Sequence, residues 1–137
     1  MIEITRDEID VEAVTKSAYS DASGAVVTFL GTARQDKDGK NLVTLDYDAY
    51  PEMAVKKMEQ VRDEIIERWP ADQVSIVHRF GPVGVRVVSV AIAISCPHRK
   101  EAFEACEYAI DRIKEIVPVW KKEVYEDGSE WVEQLGK

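Results

Sequence analysis

The sequence predicts an α+β domain with a largely antiparallel sheet, two long helices and a short N-terminal helix. Three observations predict it. Apolar runs of strand length come in pairs separated by short polar links, which antiparallel neighbours allow and parallel neighbours do not. Two longer segments, Ala54 to Trp69 and Ala102 to Val117, each carry a single apolar stripe at helical spacing. Asp127-Gly128, a favoured two-residue hairpin turn, separates two β-forming runs. The resulting order is α-β-β-α-β-β-α-β-β.

Asp10 is suited to cap a short helix carrying Val11, Val14 and Ala18 inward and ending around Ser20 to Gly24. Ala25 to Ala33 reads as a buried strand, and Arg34 to Asn41 as a polar loop. Leu42 to Tyr50 alternates, placing Val43, Leu45, Tyr47 and Ala49 on one face. Pro51 suits the first turn of the helix that follows, which Pro70 ends. Gln73 to Phe80 reads as a strand, Gly81 to Gly84 as a turn and Val85 to Ser95 as a longer strand. The second long helix runs from about Arg99 to Val117, with Ala102, Cys106, Ala109, Ile113 and Val117 inward. Val119 to Glu126 and Glu130 to Gln134 form the closing hairpin.

A chain of 137 residues predicts one domain, 1–137, large enough to bury a real core. The formal net charge of −8 argues against nonspecific binding to nucleic acid or to an anionic membrane, so a positive site must be a local concentration. Two cysteines suggest buried free thiols in a reducing compartment rather than a disulfide scaffold. The N-terminus has no apolar signal core and no run is long enough to span a bilayer, so the expected location is the cytoplasm.

The stretch from Ser95 to Glu123 concentrates the functional candidates. His98, Arg99 and Lys100 fall on the first turn of a predicted helix, whose exposed N–H groups already carry partial positive charge. A docked anion relieves that arrangement; a solvated helix start is the plain alternative. Lys114 falls in the last turn, where the dipole favours a lysine regardless of function. Lys121 follows the break at Pro118, sharing a strand face with Glu123, while Lys122 points the other way. In a partly dry pocket beside other cations, Lys121 would have the lowered pKa that proton transfer asks of a lysine. Arg34, at a strand end, is either solvated or a clamp for phosphate. His78 alternates with Val74 and Ile76 and reads as a satisfied core histidine, while Trp120 and Trp131 read as packing residues. Cys96 and His98 could form a thiolate–imidazole pair, but no third orienting residue is evident. Two histidines and two cysteines make a zinc site unpromising, and there is neither a dinucleotide fingerprint nor a P-loop.

Several segments in chain order resemble the large, catalytic subunits of molybdopterin synthase, the MoaE family. They are Gly24-Ala25-Val26-Val27-Thr28-Phe29-Leu30-Gly31 leading to Arg34, Leu45-Asp46-Tyr47-Asp48-Ala49-Tyr50 with Met53-Ala54, and Val77-His78-Arg79-Phe80-Gly81. His98-Arg99 with Ala102-Phe103 and Lys114 with Pro118-Val119-Trp120-Lys121-Lys122-Glu123 complete the match, which covers residues 24 to 133. The resemblance implies an α/β-hammerhead-like α+β fold and a sulfurtransferase activity without a cofactor. The partner it implies is a small ubiquitin-like sulfur carrier ending in a Gly-Gly thiocarboxylate, and the substrate is cyclic pyranopterin monophosphate, converted to molybdopterin. The assembly it implies is a heterotetramer with a homodimer of this chain at its core.

By position, Arg34, His98 and Arg99 would hold the substrate, the His98-Arg99 pair being open to supply by the neighbouring subunit. Lys114 and Lys121 would be catalytic. One departure stands out. Family members often carry a further basic residue shortly after the Trp-Val-Glu matched by Trp131-Val132-Glu133; here Leu135 and then Lys137 follow, and that contact is unassigned. Two other readings compete: a non-catalytic dimer that binds a phosphorylated metabolite or a partner's C-terminal tail, and a cysteine hydrolase using Cys96 and His98.

Overall fold

A computed structural model describes residues 1–34, 36–37 and 40–134. Among them, three helices and nine strands build two sheets rather than one. The first sheet has the order β1 (Ile2–Thr5), β5 (Gln73–Arg79), β7 (Val88–Cys96) and β2 (Ala25–Thr32). All its pairings are antiparallel except β1 with β5. The second sheet centres on β4 (Lys40–Ala49), which pairs with β8 (Val119–Tyr125) and with the short strands β3 (Asp36–Lys37) and β6 (Gly81–Val83). Strand β9 (Glu130–Gln134) follows β8.

Side chains on β5 and β7 are buried on both faces, which explains their nearly continuous apolar sequence. Val74, Ile76, Ile92 and Ile94 face the main core, which helices α2 (Pro51–Arg68) and α3 (Arg99–Ile116) close. Val77, Ala91 and Ala93 face a smaller core under helix α1 (Val11–Ser17). The stripes of the long helices do as their spacing predicts: Ala54, Met58, Val61 and Ile65 are fully buried on α2, and Ala102, Cys106, Ala109 and Ile113 are buried on α3. Asp10 caps α1, its carboxylate accepting from the Ala13 N–H at 3.0 Å.

The structure corrects the sequence reading at six places. Ile2–Thr5 is a strand, short but alternating, that gains its partner only from β5. Asp36–Lys37 and Gly81–Val83, read as loop and turn, both pair with β4; Gly81 opens the second with φ of +89°. The long strand begins at Val88 rather than Val85, because Arg86 adopts a left-handed φ of 70° and turns the chain. Val43 is exposed and Leu42 buried, since an irregularity between Leu42 and Thr44 resets the alternation. Trp131, expected to be a packing residue, is 56% exposed.

Candidate functional site

Both sheets and the C-terminal half of α3 meet around a cavity of about 390 Å³, within the range of small-molecule sites. Its walls are apolar, with Phe29, Val90, Ile113 and Val117 among them, and its polar groups come from widely separated segments. Arg34 arrives from just beyond β2, where the pairing with β7 slips between Gly31 and Thr32. Such a bulge re-aims the residues that follow it. Gly31 is needed there, because a Cβ would lie 2.5 Å from Val90 Cγ1. The redirected chain is anchored at Ala33, whose N–H donates to Val87 O at 3.3 Å and whose carbonyl accepts from Arg86 N–H at 2.8 Å.

Lys114 reaches the cavity from the last turn of α3. The helix stops at Val117, whose N–H still donates to Ile113 O, because Pro118 disfavours helical geometry in the residue before it. The chain re-enters as β8, and Lys121 sits opposite Tyr47 of β4. Lys121 and Glu123 share the inward face as the alternation predicts, and both line the cavity. Glu123 is only 4% exposed; it accepts from Tyr125 Oη and lies 3.4 Å from Lys121 Nζ. The sequence predicts other cations beside Lys121, and Arg34 and Lys114 do share its cavity; the buried carboxylate of Glu123 stands there as well. Lys122 points away, paired with Glu130 at 3.2 Å.

His78 is the second cavity residue that sequence reasoning missed. It is buried among core residues as expected, but it also lines the cavity, stacked edge-on against Tyr47 with ring centroids 5.4 Å apart. Its Nδ1 lies 2.7 Å from Arg79 O. Burial holds its pKa below the ordinary 6.5, outweighing that hydrogen bond. The alternation of His78 with Val74 and Ile76, and of Glu123 with Lys121, carried both signals; the sequence did not show that these faces open on a cavity.

Arg34, Lys114 and Lys121 are therefore brought together, whereas His98 and Arg99 are not part of this cavity. They lie exposed at the start of α3, and sixteen residues of helix put them about 24 Å from Lys114. Glu101 stands in the same first turn, an acidic residue the sequence analysis did not weigh. Cys96 is fully buried, and burial, then Glu101 and Asp72, raise its pKa, which keeps a protonated thiol rather than a nucleophile. The cysteine-hydrolase reading fails on this point. Burial also raises Cys106, to about 11.

Fold and cavity define a class: an α+β domain with a cation-bearing, apolar-walled cavity of small-molecule size. Residues 4–116 match the family described as MoaE protein. Over 130 residues the chain is 47% identical to the molybdopterin synthase catalytic subunit of Bacillus subtilis, spanning 95% of this chain and 83% of that one. It is 50% identical to that of Staphylococcus carnosus, over 95% and 87% of the two chains. The crystal structure of molybdopterin synthase from Staphylococcus aureus superposes with a TM-score of 0.92 at 46% identity, covering 96% of both chains. The chain belongs to the MoaE family, whose members are the catalytic subunits of molybdopterin synthase. Among the described residues, no helix is long and apolar enough to cross a membrane.

Proposed function

We propose that this chain is the catalytic subunit of a cytoplasmic molybdopterin synthase. It transfers sulfur from the C-terminal thiocarboxylate of a small carrier subunit to cyclic pyranopterin monophosphate. The observation that carries this reading is the convergence of Arg34, Lys114 and Lys121 on one cavity from three distant parts of the chain. In each transfer a carbon–sulfur bond forms on the pterin side chain, a carbon–oxygen bond there breaks, and the carrier's acyl–sulfur bond breaks. One carbon–oxygen bond is lost in opening the cyclic phosphate to a monoester and the other in losing water. Water supplies the oxygen that leaves the carrier as a carboxylate, and two transfers complete the dithiolene.

Fixed ammonium and guanidinium groups stabilise the negative charge that develops on the acyl oxygen and the charge already on the phosphate. Lys114 and Lys121 are the catalytic residues of this proposal. Lys121 is held by Glu123, itself held by Tyr125, so its amine is positioned before substrate arrives. Arg34 binds the anionic substrate from one chain, and His98 and Arg99 do so from a second copy in the central dimer. An extended carrier tail entering the cleft gains backbone hydrogen bonds that set its register.

The test is to incubate the chain with thiocarboxylated carrier and the pterin precursor and to identify products by mass spectrometry. Lys114→Ala and Lys121→Ala are each expected to slow product formation by about a hundredfold or more. Melting is expected to be nearly unchanged for Lys114→Ala and lowered for Lys121→Ala, which removes the ion-pair partner of the buried Glu123. Wild-type turnover in either variant refutes the assignment. Ligand-dependent stabilisation of the wild-type chain without conversion favours the non-catalytic binding dimer instead.

A further inference from the structure

The polar groups of the cavity are sorted by depth. Arg34 and Lys114 are exposed at its rim, while Tyr47, His78 and Ser89 are 8%, 5% and 4% exposed on its floor. The floor groups have directed their hydrogens into the protein. Ser89 Oγ donates to Gly31 O at 3.3 Å, and Tyr47 Oη donates to Ser89 Oγ at 3.4 Å. A carbonyl can only accept, so the 2.7 Å contact between His78 Nδ1 and Arg79 O places a proton on Nδ1. Burial keeps the imidazole neutral, which leaves Nε2 as a bare lone pair. Tyr47, His78 and Ser89 thus present acceptors beneath the exposed Arg34 and Lys114, with the largely buried Lys121–Glu123 pair also in the lining.

We propose that His78 is a specificity-determining residue of this cavity, its Nε2 accepting a hydrogen bond from a ring N–H or amino group of the substrate. This rests on the reading of the cavity as the pterin site, and it orients the ligand. The donor-bearing edge of the heterocycle goes to the floor, and the phosphate stays with the cations at the rim. An anionic ligand without such donors would leave the floor's lone pairs buried and unpaired, which disfavours it.

Two variants separate this role from a structural one. Asn at position 78 can keep the hydrogen bond to Arg79 O but does not extend to the Nε2 position; Gln places an acceptor there and gives up the internal bond. Affinity for cyclic pyranopterin monophosphate is measured by calorimetry on the full chain assembled with carrier in its unreactive carboxylate form. Thermal melting is followed in parallel. His78→Asn is expected to bind about tenfold more weakly with melting near wild type, and His78→Gln to stay within about threefold of wild-type affinity. A purely structural histidine gives the reverse: Asn like wild type and Gln destabilised. That pattern, or equal affinity in both variants, overturns the proposal. A ligand-side measurement does not depend on either variant folding. A pterin phosphate N-methylated along its donor edge is expected to bind the wild-type chain about tenfold more weakly than the parent, and equal binding overturns the role of His78. Failure of the wild-type chain to bind the parent pterin phosphate at all overturns the reading of the cavity itself, and His78's role with it.

Discussion

The two ends of helix α3 carry the same kind of side chain in opposite settings. At its start His98, Arg99 and Lys100 are exposed where the helix already presents partial positive charge, away from the cavity. Glu101 lies among them, with one carboxylate oxygen buried and lacking a hydrogen-bond partner among the described residues. At its end Lys114 sits where the dipole welcomes a cation, has no ion-pair partner among the described residues, and borders the cavity with Arg34 and Lys121. Between the ends, Arg112 is answered wholly within the chain, by Glu64 at 2.9 Å and Glu115 at 3.2 Å, and Tyr108 donates to the same Glu64. A cation marks a site here when its charge opens on a cavity or on a second copy, even where, as for Lys121, it also has an ion-pair partner in the chain. Groups about 24 Å apart on one helix can serve one small ligand only if two copies bring them together.

The largest expected effect separates Lys114 from Arg112, two positions away. Lys114→Ala is expected to lose about a hundredfold or more in turnover and little stability. Arg112→Ala is expected to keep its turnover and lose about 1–2 kcal/mol of stability in urea denaturation. Similar losses of turnover in both variants would break the comparison.

Acid sharpens it next. Hydrogen bonds from Arg112, then Tyr108, hold Glu64 well below its ordinary 4.5, at about 2. The folded pKa is the lower one, so the unfolded chain takes up the proton first. Its contribution is complete above pH of about 4.5 and fades as pH falls toward 2. Because the pair is partly solvated, the loss should be about 1–2 kcal/mol, and a Glu64→Gln variant should lack that part of the pH slope in denaturation curves. The smallest effect concerns Arg86. Its φ of 70° is costly for a residue with a Cβ, so Arg86→Gly should raise stability by about 0.5–1 kcal/mol without changing turnover.

The long helices were readable because a stripe such as Ala54, Met58, Val61 and Ile65 encodes its own buried face. What escaped depends on contacts far along the chain. Ile2–Thr5 becomes a strand through β5, and Gly81–Val83 pairs with β4 across more than thirty residues of sequence. Alternation alone could not show that the chain divides into two sheets, or that pairing near Leu42 slips and turns Val43 outward. Of the candidate site, Arg34, Lys114 and Lys121 were legible as charges at element ends, where a fold can gather them. Glu123 and His78 were not, because each lies inside a strand and the cavity that makes it significant exists only between sheets. His98 and Arg99 stand out in sequence by charge alone, and a single chain gives them no cavity.

The central claim is that one copy's cavity is completed by the start of α3 from another. Chains carrying Lys114→Ala and chains carrying Arg99→Ala, each nearly inactive alone, are to be co-unfolded, refolded together and assayed with thiocarboxylated carrier and pterin precursor. If Arg99 acts across the dimer, half the dimers are mixed and each has one intact site of two, so activity should return to about a quarter of wild type. If the mixture stays as inactive as its parents although mixed dimers have formed, Arg99 does not act across the dimer, and the two-copy site is wrong.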